Sequence, residues 1–146
     1  MEFRSNFTLH FRFKLDVLKT GDSQRIALID NSDCDKEATF GIAVLTSSDR
    51  TGSVHGGFRL KNGEAVTINS PDISLATWHE VVLLKFGMRA ELRVDGKIYP
   101  IIGDLASDIA RVDCSMTIGK GTGLVNFVGY IDEVKFYKCV PDEFLN

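Results

Sequence analysis

The N-terminal segment alternates between large apolar and polar side chains. Every second residue from 7 to 15 is phenylalanine or leucine, and the residues between them are Thr8, His10, Arg12 and Lys14. A period of two places the apolar set on one face of a β-strand and the polar set on the other. Five large hydrophobes on one face need a covering layer. A second sheet is predicted, because no long helical pattern follows.

Further strand-like segments follow at short intervals: 25–29, 40–45, 58–60, 65–68, 78–86, 90–94, 97–101, 116–118 and 128–137. Asn62-Gly63 and Asp95-Gly96 suit two-residue hairpin turns, whose central residues need positive φ. Single helical turns are predicted over 104–110 and 141–145. Many short strands with little helix are typical of a sandwich or a barrel.

The last strand contains an irregularity that favours a sandwich. Ile131 and Val134 are three residues apart, so strict alternation would put them on opposite faces. A β-bulge at Asp132-Glu133 would return both to the core and aim one of the two carboxylates at a rim.

Size and charge restrict the function further. One domain over residues 1–146 is predicted, and the abrupt start of the first strand suggests a domain excised from a longer protein. The net charge of −3 offers no attraction for nucleic acid. The longest apolar stretches are strand-sized, so no membrane insertion is expected.

The cysteines and the glycine-containing run do not match the spacing of a metal site or a phosphate-binding loop. Cys34, Cys114 and Cys139 lack zinc-ligand spacing. Two alternatives remain open for them: a Cys114–Cys139 disulfide, or three reduced thiols. The run 119–123 contains three glycines, but no helix pattern follows as a phosphate loop would require. It is interpreted as a connection.

Four phrases in order resemble a known family: Trp78-His79-Glu80-Val81, then residues 91–97 (ELRVDGK), then 116–119 (MTIG), then 129–137 (GYIDEVKFY). Together with the opening residues 6–9 (NFTL), they resemble the laminin G-like and pentraxin-like domains of the concanavalin A-like lectin/glucanase superfamily. The resemblance covers about residues 6–145. One further strand, usual at the N-terminus of the family, has little room here.

The resemblance implies an all-β fold, a jelly-roll sandwich of two antiparallel sheets. It also implies a non-catalytic extracellular or cell-surface module that binds glycans or protein partners, often with calcium. Trp78 is expected in the core, and the alternative is an exposed ring that stacks on a sugar. His79 is expected to face outward or to bond a loop carbonyl.

Calcium has two candidate sites. Asp132 matches the family aspartate that often binds the ion; the alternative is a carboxylate that fixes the bulge through loop amides. Asp33 and Asp35 lie in an acidic loop with alternating oxygen ligands, for which a solvated loop is the alternative interpretation.

Ligand-binding candidates lie in the glycine-rich stretch 47–57, which is interpreted as a long loop. Asp49, Arg50 and His55 could hydrogen-bond a sugar or a partner's backbone there. The basic stripe of His10, Arg12 and Lys14 could contact an acidic polymer, or could be an ordinary solvated face.

A catalytic role is not expected. Retaining glycanases need two carboxyl groups about 5–5.5 Å apart, and no segment has the paired acids of the related glycanases. The leading hypothesis is a binding module for a glycan or an extracellular protein, through rim loops or the concave face. The alternative is a structural or assembly domain in a larger protein, and a glycanase comes third.

Overall fold

The computed structural model describes residues 6–16, 23–32, 39–102, 105, 107–110 and 114–145. It is an antiparallel sandwich of two sheets, as predicted. The five-stranded sheet has the order β11(Gly129–Tyr137), β1(Asn6–Leu15), β7(His79–Phe86), β8(Arg89–Val94), β9(Lys97–Ile102). The other sheet has the order β10(Thr117–Ile118), β2(Arg25–Asp30), β3(Phe40–Thr46), β4(Thr51–Arg59), β5(Ala65–Asn69), and β6(Ile73–Ser74) pairs with β4.

The core lies between the sheets and is centred on the apolar stripe of β1. All five hydrophobes of that stripe are at most 2% exposed. The ring of Phe7 meets Phe40 edge-on at 5.5 Å and Phe58 edge-on at 5.7 Å. Phe40 and Phe58 belong to β3 and β4, so these contacts join the two sheets and fix which face of each strand points inward.

Two assignments made from the pattern were wrong, and one short strand was missed. The stretch 47–57 is not a long loop, because β4 begins at Thr51 and only residues 47–50 form the turn. Residues 107–110 are not helical. Ile109 instead forms an isolated antiparallel β-bridge with Leu60, the residue that follows β4. The short strand β6 was not predicted. The predicted turn near the C-terminus exists as a 3₁₀-helix, Asp142–Phe144.

The turn and bulge predictions hold in part. Asp95 and Gly96 both have positive φ, as a two-residue hairpin requires. Gly63 has positive φ, but a five-residue connection separates β4 from β5. The register between β1 and β11 shifts where predicted, and Glu133 has a φ of 54°. The bulge brings Ile131 partly into the core, whereas Val134 stays 37% exposed, contrary to expectation.

Of the two residues that open the family-like phrase, Trp78 is not placed as expected, whereas His79 does not face outward but does contact a backbone carbonyl, the second of its two expectations. Trp78 is 41% exposed, beside Arg12 and Tyr130, and the prediction of a core tryptophan is wrong. His79 is the buried one: its Nδ1 donates to Asp95 Oδ2 at 2.6 Å, and its Nε2 contacts the carbonyl oxygen of Ser74. The side chain therefore ties the start of β7 to the β8–β9 turn.

We expect His79→Ala to destabilise the fold more than Trp78→Ala. The first change removes a buried imidazole together with its contacts to Asp95, Ser74 and Phe13, at a cost of about 2–3 kcal/mol. The second removes half-exposed ring and cation–π contacts, at a cost of about 1 kcal/mol. Urea unfolding followed by circular dichroism measures both, and the reverse order would contradict this placement.

The chain after β11 folds back over the outer face of the five-stranded sheet. Val140 packs with Val82 and Leu84, and the ring of Phe144 lies edge-on to His10 at 5.5 Å. Arg93 stacks over Phe144 on this face. Part of the surface is thus covered by the protein itself.

Both interpretations of the cysteines were wrong. Cys114 is in a disulfide, so the thiols are not all reduced. Cys139 is a free, exposed thiol and is not the partner of Cys114.

Candidate functional site

An open groove of about 670 Å³ crosses the outer face of the six-stranded sheet. It runs over β2, β3, β4 and β5 and meets the loop before β11. The groove lies on the opposite side of the sandwich from the face that the C-terminal segment covers.

The floor of the groove consists of residues with little or no side chain. Outward-facing positions alternate along each strand, and in this region they hold Gly41 and Ala43 on β3 and Gly57 on β4. Gly41 lies directly opposite Gly57 in the β3–β4 register. Glycine is unfavourable inside strands in general, and it occurs where another group approaches the backbone closely. The paired glycines therefore leave a shallow seat on the sheet.

Polar side chains surround this seat. In the row across the sheet that contains the two glycines, Asp30 of β2 pairs with Gly41, and Thr67 of β5 pairs with Gly57. His55 lies one outward position away along β4, about 7 Å. Arg25 lines the same groove further along β2.

One wall is the glycine-containing loop that was interpreted from sequence as a mere connection. Thr122, Gly123 and Leu124 line the groove. Thr122 holds the loop against β2, because its Oγ1 donates to the Ser32 carbonyl at 2.6 Å and its N–H donates to Ser32 Oγ at 3.0 Å. The tip of the loop is therefore attached to the sheet at the groove.

Asp30 is the only carboxylate among the described residues that line the groove. The residue is 6% exposed. Its Oδ1 accepts the Ser32 N–H at 2.6 Å and also contacts Ser32 Oγ. Its Oδ2 lies on the groove side, 2.9 Å from the point that a Cβ on Gly41 would occupy. An alanine at position 41 would crowd that oxygen.

His55 is held as a neutral groove residue near pH 7. Its pKa is lowered from its ordinary value of 6.5, first by burial and second by the charge of Arg25. Its Nε2 lies 2.7 Å from Ser53 Oγ. In its neutral form the ring offers both a donor and an acceptor.

The ligand-binding residues predicted from sequence do not come together. His55 lines the groove, but Asp49 and Arg50 lie in the exposed turn between β3 and β4. Five residues of extended chain separate Arg50 from His55, about 17 Å. The turn is attached elsewhere, since the Leu75 N–H donates to the Arg50 carbonyl at 2.8 Å. Asp30 and the 122–124 loop were missed.

The calcium candidates stay predictions. Asp33 and Asp35 lie outside the described residues. Asp132 Oδ1 accepts the Glu133 N–H at 2.8 Å, which is the bond expected of a carboxylate that fixes the bulge. Within the described ranges no group of three or more His, Cys, Asp or Glu side chains converges as a metal site would require. A calcium ion at Asp132 would need backbone carbonyls and waters to complete its six to eight oxygens, and no step of recognition is derived through the ion.

We expect Arg25→Gln to raise the pKa of His55 toward 6.5 without reaching it. Removal of the nearby cation makes protonation of the ring easier, while burial, the larger cause, remains. An NMR titration of the His55 ring measures the shift. Arg50→Gln, at the exposed turn, is the matched control and should leave the titration unchanged. An equal response in both variants would mean that Arg25 does not act on His55 in the groove.

Family comparison agrees with the architecture. Residues 1–143 match a laminin G-type model of the concanavalin A-like lectin/glucanases superfamily. The chain belongs to this family, as its motifs suggested. No curated protein matches the sequence.

Solved structures share the fold at low sequence identity. Domains LG4-5 of the mouse laminin α1 chain superpose with a TM-score of 0.67 at 15% identity, covering 93% of this chain and 36% of theirs. The CBM40 of Ruminococcus gnavus IT-sialidase, solved with α2,6 sialyllactose, gives 0.65 at 17% identity, covering 98% and 82%. The native heptameric SAP-like pentraxin of Limulus polyphemus gives 0.61 at 14% identity, covering 96% and 72%.

The chain thus spans about a third of the laminin chain that it resembles. No helix among the described residues is long and apolar enough to cross a membrane.

Proposed function

We propose that this domain is a non-catalytic carbohydrate-binding module that holds a saccharide chain in the groove across the six-stranded sheet. The observation that carries the proposal is the seat of paired glycines, Gly41 and Gly57, flanked in one row by Asp30 and Thr67. Ligand sites commonly combine such a concave surface with a few fixed polar groups that set orientation.

The form of the groove suits a saccharide. It is open along the sheet, so a chain of several units can lie in it without threading into the core. The C–H face of a sugar ring can rest against the bare backbone at the glycines, while the hydroxyls of the sugar meet the carboxylate of Asp30, the imidazole of His55 and the hydroxyl of Thr67. The sialyllactose complex of the R. gnavus module supports glycan binding as a use of this fold.

Catalysis is not proposed for the groove. Glycoside hydrolysis of the usual kind needs two carboxyl groups, one of them an acid and the other a nucleophile or base. Asp30 has no second carboxylate beside it among the described lining residues. The arrangement can bind and orient a sugar, and its described residues include no pair of carboxyl groups to cleave one.

We also propose that the domain works outside the cell. The disulfide of Cys114 supports this, because disulfides persist mainly in oxidising compartments. The chain would then meet matrix or cell-surface glycans, as the family resemblance implies. Calcium remains a separate proposal, to be examined in the same assay with and without chelator.

We expect Ala43→Phe to abolish glycan binding on an array. Ala43 lies in the groove floor and is 6% exposed, so a phenyl ring there fills the space that a sugar needs. Leu45→Phe is the matched control, because Leu45 lies on the same face of β3, two residues further along, and does not line the groove. Circular dichroism verifies that both variants fold.

Each outcome of the array experiment either supports the groove as the glycan-binding site or rejects it. Binding by wild type and Leu45→Phe, lost in Ala43→Phe, supports the proposal. Undiminished binding by Ala43→Phe would place the site elsewhere. No signal from folded wild-type protein would reject glycan binding for the saccharides printed and favour the alternative of an assembly domain.

A further inference from the structure

We infer that Asp30 determines the specificity of the groove: it selects a saccharide whose unit over Gly41 and Gly57 is uncharged and donates a hydroxyl hydrogen bond. The inference rests on the proposed function, and it adds the chemical class of the ligand and the atom that recognises it. That atom is Oδ2 of Asp30.

The carboxylate is fixed before any ligand binds. Both bonds from Ser32 go to Oδ1, and Ser32 is itself bonded to Thr122 in the facing loop. The backbone of Asp30 is held as well, since its carbonyl accepts from Thr117 Oγ1 at 3.1 Å. A side chain held from several sides presents its second oxygen in one direction, which reduces the entropy lost on binding.

The second oxygen is turned toward the groove. Oδ2 lies above Gly41, where it is 2.9 Å from the point of a missing Cβ. No described residue donates a hydrogen bond to Oδ2, although Asp30 as a whole is only 6% exposed. Oδ2 is not among the fully buried atoms that lack a partner in the described part of the chain, so it stays accessible to a donor that arrives in the groove.

The chemistry of this oxygen defines the ligand. A carboxylate only accepts hydrogen bonds, so the group that meets Oδ2 must be a donor such as a sugar hydroxyl. A carboxylate or sulfate on the same unit would bring a second negative charge against a poorly hydrated one and would be repelled. A site built around a buried polar group also discriminates strongly against ligands that cannot pair with it.

The cations of the groove do not cancel this selection. Two cations line the groove, Arg25 and Arg59. Arg25 is separated from Asp30 along β2 by more than one outward position, and its charge acts on His55. Arg59 lies one outward position from Gly57 along β4, and it already has an interaction partner of its own. The ligand is therefore selected for a donor over the glycine seat, independently of what lies near Arg25.

The test uses pairs of polysaccharides that differ only in charge. Alginate, polygalacturonate and hyaluronan are printed beside their carboxyl-reduced forms, together with neutral plant and animal glycans. Wild-type protein is expected to bind neutral members and to bind no acidic polymer better than its reduced form. The strongest neutral ligand is then titrated by calorimetry.

Asp30→Asn is the decisive variant. The amide oxygen of the asparagine can still accept the Ser32 N–H. The amide NH₂ group takes the place of Oδ2 and donates hydrogen bonds where the carboxylate accepted them. Loss of a charged hydrogen bond predicts that affinity for the neutral ligand falls by about 10- to 100-fold. The preference for reduced over acidic forms should shrink as well. Asp49→Asn, the same change at the exposed β3–β4 turn, should bind like wild type, and this control also tests the sequence-based candidate Asp49.

Gly41→Ala gives a second measurement if Asp30→Asn fails to fold. Its methyl group would crowd Oδ2 while the carboxylate remains. It should weaken binding in the same direction.

The outcomes separate the inference from the proposed function. Neutral binding that is lost in Asp30→Asn and kept in Asp49→Asn supports both. Binding that Ala43→Phe abolishes but Asp30→Asn leaves intact overturns the role of Asp30 and keeps the groove. Acidic polymers that bind better than their reduced forms likewise overturn the selection. A silent array from folded wild-type protein overturns the proposed function, and the inference with it.

Discussion

The packing of Phe7 against Phe40 and Phe58 is the contact on which the rest of this domain depends. It joins the two sheets through their inner faces, and in a strand the inner positions determine the outer ones. A slip of one residue in β3 or β4 would exchange core and surface along the whole strand. The edge-on rings therefore also fix Gly41 and Gly57 at the floor of the groove.

The inner face of β4 also shows that the close packing of the two sheets determines which residues the strand can hold. A Cβ on Gly56 would lie 3.2 Å from Leu83 Cδ1 of the opposite sheet, so the sheets approach closely at that point. Gly56 lets the five-stranded sheet approach on the core side, and its neighbour Gly57 leaves open space at the floor of the groove. The glycines that weaken β4 as an isolated strand are thus explained by close approach on the core side and by open space on the other.

The prediction from sequence was accurate where side-chain alternation was strong. The stripe of β1, the Asp95-Gly96 turn and the positive φ of Glu133 are local features, and residues close in the chain determine them. The prediction failed at residues whose side chains are compatible with both the core and the surface. Trp78 and His79 are adjacent, and only the approach of Asp95 and Ser74 makes the histidine the buried residue. β4 was interpreted as a loop because its glycines and serine carry little strand propensity.

The amino-acid pattern was sufficient for the class of fold, which follows from periodicity and turn chemistry within short segments. The family followed from the resemblance of several short motifs to a known family. The groove required the tertiary structure. Asp30, Thr67 and Thr122 are far apart in the chain, and they surround one seat only because β2, β3, β4 and β5 lie side by side and a distant loop is bonded to Ser32. Strand order is a product of long-range packing, which no local pattern encodes.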